Sequence, residues 1–94
     1  MKYASTARYE AENKRYNYIE SETAVIEAMI EDAVDLAISD GVFETSLVYP
    51  IDRDFLADEI AKKVADWVES YGYSIKVTIT KEFMAARLEF NVKF

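Results

Sequence analysis

The chain has 94 residues, 51% of them apolar, carries a formal charge of −7, and contains no Cys and no His. One domain with one modest core fits that length. The composition excludes a disordered chain, disulfides and thiolate metal sites, and it removes the usual general base.

The N-terminal stretch MKYASTARYEAENKRY has no apolar signal region, and no segment approaches the roughly 18 apolar residues of a membrane helix. A soluble, cytoplasmic protein is expected. Residues 4–20 lack Gly and Pro and space Ala4, Ala7 and Ala11 for one helix face. From Thr23 the periodicity is plain. Val25, Ile26, Met29, Ile30, Ala33, Val34, Ala37 and Ile38 recur at i, i+3 and i+4 steps opposite Glu27, Glu31, Asp32 and Asp35. One long helix is predicted, with a break near Glu20–Ser21 as the alternative, ending at Gly41.

VFETSLVY (42–49), between Gly41 and Pro50, reads as a strand. A second helix then opens with Asp52 as N-cap and Ile51 packing on Leu56. Its apolar stripe is Leu56, Ile60, Val64, Trp67, Val68 and Tyr71, which predicts Trp67 buried against a sheet, and Gly72 closes it. The last segment alternates twice. Tyr73, Ile75, Val77 and Ile79 form one apolar row, and Ala86, Leu88, Phe90, Val92 and Phe94 form another. For both rows to share a face, paired residue numbers must sum to an odd value. A four-residue loop, Lys81–Met84, would set Lys76 against Glu89 and Val77 against Leu88. The fold expected is α+β: long helix, strand, helix, C-terminal hairpin. It has a three-stranded sheet, order 1-3-2 preferred over 1-2-3, with both helices on one face. Residues 1–20 are read as a helical arm continuous with, or packed on, a domain formed by residues 21–94.

The AxxAR at Ala4–Arg8, a helix closing in Gly, a β run, a second helix and GYSIKV before a hairpin resemble small accessory proteins of phages and prophages of Gram-positive bacteria. The resemblance covers the layout of most of the chain. It implies a phage setting, hence the host cytoplasm, and carries over no functional residue.

No catalytic signature is present. Gly41 and Gly72 both fall at helix ends, so no glycine-rich phosphate loop exists, and neither His nor Cys is available to form a triad. No enzymatic activity and no cofactor are expected. Glu27, Glu31 and Asp35 are spaced i, i+4, i+8, and Asp54 and Asp58 repeat the step. Oxygen-rich rows of this kind suit hard cations, but opposite an apolar stripe they are ordinarily a solvated face, and no metal site is expected.

Charge is unevenly placed. Residues 1–20 hold four basic and three acidic groups, residues 21–72 three and thirteen, and residues 73–94 four and two. Two readings of the acidic helices stand side by side. One is plain solubility; the other is a nucleic-acid mimic, built on Glu27, Glu31, Asp35, Asp54, Asp58 and Asp66, that occupies a host nucleic-acid-binding protein. The arm interleaves Arg8, Lys14 and Arg15 with Tyr9, Tyr16 and Tyr18. That mixture suits a protein interface or, alternatively, single-stranded nucleic acid. Glu10, Glu12 and Glu20 among the bases favour the protein interface, and direct nucleic-acid binding is not expected. Phe83 and Met84 stand at the hairpin tip, either folded back over the core or free to anchor a partner. The function expected is non-catalytic protein–protein binding, with a homo-oligomer as its form and a partner whose identity the sequence does not disclose.

Overall fold

A computed structural model describes all of Met1–Phe94. Helix α1 runs unbroken from Ala4 to Asp40. Strand β1 is Glu44–Ile51; a 3-10 turn at Asp54–Leu56 leads into α2, Ala57–Ser70; β2 is Ser74–Glu82 and β3 Ala85–Lys93. The sheet order is β1-β3-β2, and β3 pairs antiparallel with both neighbours. The α+β fold and the 1-3-2 order are as expected. No break occurs at Glu20–Ser21, because nothing there interrupts the backbone ladder.

Gly41 ends α1 with φ 72°; its own N–H donates to the Ile38 carbonyl and that of Val42 to the Ala37 carbonyl. Only glycine takes this left-handed C′ conformation without steric cost. Just outside β1 and β3, the N–H of Phe94 donates to the carbonyl of Phe43. By the alternation of antiparallel pairing, odd-numbered residues of β1 therefore bond inward to β3 and even-numbered ones face the open edge. Pro50, which has no N–H to donate, stands at an edge-facing position and leaves no ladder bond unmade.

The core lies between the sheet's inner face and the two helices. Leu88, Phe90 and Val92 from the central strand meet Ile26, Ile30 and Val34 of α1, Leu56 of the 3-10 turn, and Ile60, Val64 and Val68 of α2, all buried. No helix is long and apolar enough to cross a membrane.

Four expectations need correction. The hairpin loop holds two residues, Phe83–Met84, rather than four, so the register moves by two: Lys76 opposes Asn91 and Val77 opposes Phe90. The sum stays odd, and the longer ladder adds ion pairs from Lys81 to Asp58 and from Arg87 to Glu82, at 3.3 and 3.2 Å. The turn is not a primed one, since of the pair only Met84 has positive φ, 55°. Asp52 does not cap α2; its carboxylate accepts a hydrogen bond from Tyr18, while Ile51 and Leu56 are both buried as a staple would require. Trp67 is only half-buried, stacked edge-on against an exposed Tyr71 at 5.6 Å between centroids. Finally, α1 buries a narrower stripe than the periodicity suggests. Val25, Met29 and Ile38 face solvent, because two elements cover only one side of the helix.

Candidate interaction surfaces

Every residue from Met1 to Asn17 is exposed, so more than a third of α1 lies outside the packed domain. The molecule is accordingly long and thin, 59 × 27 × 16 Å. Arg15 is the outermost residue tied to the body, through a 2.5 Å ion pair to Glu59 of α2. Lys63 reaches back to Glu20, a bond that raises the lysine's pKa, and its ammonium also lies 5.9 Å from the ring centre of Tyr16. Such exposed pairs orient the helix root more than they stabilise it.

The candidate interface residues are not brought together. Arg8 and Tyr9 stand on the free arm, Tyr16 at its root, and Phe83 and Met84 at the hairpin tip. Tyr18 belongs to the body: it packs on the core, lies 4.1 Å beneath the guanidinium of Arg53, and donates its hydroxyl to Asp52 at 2.7 Å. Burial, reinforced by that bond, pushes Tyr18 up to about 12. At the tip neither apolar side chain folds over the core; Phe83 is 92% and Met84 69% exposed. Met84 is also the only non-glycine residue with positive φ, a conformation that asparagine or glycine adopts at lower cost.

The six acidic residues are divided between the helices. Glu27 is partly desolvated, which raises its carboxyl, with Glu20 and Glu31 adding to the shift. Glu31 and Asp35 rim a groove, whereas Asp58 and Asp66 are each paired with a lysine, Lys81 and Lys62. Asp54 lies half-buried in the 3-10 turn. The row is therefore neither continuous nor wholly free. No three His, Cys, Asp or Glu side chains converge to hold a metal ion.

Three features escape the sequence reading. An apolar groove of about 280 Å³ opens between the helices, floored by Ile30, Val34, Val68 and Val92 and walled by Trp67 and Tyr73. Phe43 and Tyr73 both pack edge-on against Phe94, closing the sheet end away from the hairpin tip. The third is an apolar flank on α1, formed by Val25, Met29 and Leu36, of which Leu36 is 64% exposed. At 3.6 residues per turn this flank lies roughly 100° around the helix from the buried stripe. Had the apolar residues of α1 been counted as two stripes rather than one broad face, the sequence alone would have separated them.

Comparison with protein-family models, with curated proteins and with solved structures finds no match for this chain.

Proposed function

We propose that the protein is a non-catalytic interaction module that associates with itself through the N-terminal half of α1. The observation carrying this reading is the uncovered arm: residues 1–17 are all exposed, the helix from Ala4 to Lys14 has no tie to the body, and the segment nevertheless holds Tyr3, Tyr9 and Tyr16. A helix of that length without packing is marginal in water. Exposed tyrosines and arginines are what interface centres use. The resemblance to phage accessory proteins supplies a setting, the host cytoplasm, in which a small acidic adaptor would work. Within it, the tip pair Phe83–Met84 offers a second contact for another protein.

Hydrogen exchange of the arm amides checks the reading. Protection over residues 5–17 is expected to rise with protein concentration, because association covers the arm. Fast exchange that does not change with concentration would contradict it.

A further inference from the structure

We infer that the groove between α1 and α2 is a binding site for an arginine side chain of another protein. The arginine's stem lies on the apolar floor, and its guanidinium meets the aromatic walls and the carboxylates of Glu31 and Asp35. The groove and the arm lie in different halves of α1, so the inference stands apart from self-association.

Charge is the first argument. No Lys or Arg lines the groove, and neither Glu31 nor Asp35 belongs to any of the chain's seven ion pairs. Both side chains are exposed and stand one helical turn apart, which puts their Cβ atoms about 5–6 Å from each other on one face. The backbone adds to the same sign. Trp67 and Val68 lie in the last turn of α2 and Tyr71 is its C-cap, so the negative end of that helix dipole opens on the groove. Neither α1 nor α2 has a basic residue in its last turn to offset it. No side chain of the groove supplies the cation that this field favours.

Shape and chemistry narrow the choice of cation. The groove holds about 280 Å³, below the roughly 300 Å³ at which pockets for whole small molecules begin, but enough for one long side chain. Its floor, Ile30, Val34, Val68 and Val92, suits a methylene stem, and Trp67, Tyr71 and Tyr73 offer rings to a cation. A quaternary ammonium would meet the rings but donate no hydrogen bond to the two carboxylates. A lysine ammonium is a compact, strongly hydrated charge that an open groove strips poorly. A guanidinium is weakly hydrated, stacks on aromatic faces and serves two acceptors with its rigid fork of five donors.

Trp67 is the chain's only tryptophan, so its emission reports on the groove alone. Three probes are titrated into the intact protein at constant ionic strength: acetyl-Ala-Arg-Ala-amide, the same peptide with neutral citrulline in place of arginine, and tetramethylammonium chloride. The Trp67 indole N–H resonance is followed in parallel by NMR. The arginine peptide should shift both signals and saturate with a Kd of roughly 1–10 mM, at least about tenfold tighter than either other probe. Glu31→Gln/Asp35→Asn, at exposed positions, should weaken the arginine peptide about tenfold with the far-ultraviolet spectrum unchanged. Equal affinity for the citrulline peptide would mean a merely apolar groove, and equal affinity for tetramethylammonium a small-cation site; either overturns the inference. So would binding that the double variant leaves unchanged, or no shift of either Trp67 signal at about 50 mM arginine peptide.

Discussion

Tyr49 donates its hydroxyl to Glu22 at 2.5 Å, joining the inner face of β1 to the middle of α1 across 27 positions of sequence. One turn earlier, Tyr18 makes the matching bond to Asp52 just beyond β1. These two bonds clamp α1 over the edge strand at the point where the arm leaves the domain.

The clamp carries a pH signature. Burial, then the contact with Glu22, pushes Tyr49 up to about 12, and Tyr18 reaches about 12 as well. An unfolded tyrosine titrates near 10. The folded state thus keeps protons that the unfolded state gives up. Stability from these phenols is complete below about pH 10 and is lost as pH rises towards 12. Urea midpoints at pH 8 and pH 11.5 should fall further in the wild type than in Tyr18→Phe/Tyr49→Phe. At pH 8, Tyr49→Phe alone should cost about 1 kcal/mol. Equal alkaline losses in both proteins would contradict the clamp. At the acid end the sign reverses. The Tyr18 bond holds the Asp52 carboxyl below its usual range, so that contribution is present above about pH 4 and lost as pH falls.

Core substitutions should rank by burial rather than by side-chain size. Phe90 is fully buried on the central strand, so Phe90→Ala should cost about 3–5 kcal/mol. Trp67 is larger yet half-exposed at the groove, and Trp67→Ala should cost only about 1–2 kcal/mol. Denaturation curves giving the two equal losses would place Trp67 inside the core after all.

Much of this architecture is legible in the residues, and the misses share a cause. Alternation in β2 and β3 fixes which face is buried, and a sheet wet on one side favours the all-antiparallel order that is observed. The hairpin register differs because opposite charges, inward apolar pairs and the want of a turn Gly or Asn all favour a four-residue loop, while inward apolar pairing holds equally well in the two-residue one. Lys76 and Glu89 instead stand offset, and the ladder closes through Phe83–Met84 without the glycine that ordinarily marks a two-residue turn. Asp52 follows the local rule for an N-cap but is claimed by Tyr18, a partner 34 positions away. The interaction surfaces are half legible. Tyrosines and arginines on the arm are visible in the sequence, and helical spacing separates the flank of Val25, Met29 and Leu36 from the Ile26–Ile30–Val34 stripe, but only the tertiary contacts say which of the two is covered.

One buried polar atom is left without a partner. Thr23 sits 8% exposed on the covered face of α1, and its hydroxyl makes no hydrogen bond. Replacing it by the isosteric valine removes the desolvated hydroxyl and keeps the volume. Thr23→Val should therefore stabilise the protein by up to about 1 kcal/mol, seen as a higher denaturant midpoint at unchanged slope. Destabilisation would show that the hydroxyl is satisfied in solution.

The hairpin tip holds Met84 in a conformation that costs a non-glycine residue about 1–2 kcal/mol. Met84→Gly should recover a few tenths to about 1 kcal/mol, the rest being offset by glycine's greater freedom when unfolded. A loss of stability would mean that the methionine side chain packs on the domain. A gain, together with weakened capture of another protein, would mark the tip as kept for binding rather than folding.

Sedimentation equilibrium of the intact chain over a wide concentration range tests arm-mediated self-association most directly. The expected result is a reversible approach to about twice the 10.8 kDa chain mass, abolished by Arg8→Glu/Tyr9→Asp on the exposed arm with the far-ultraviolet spectrum of the domain retained. A mass of 10.8 kDa at every concentration would contradict it.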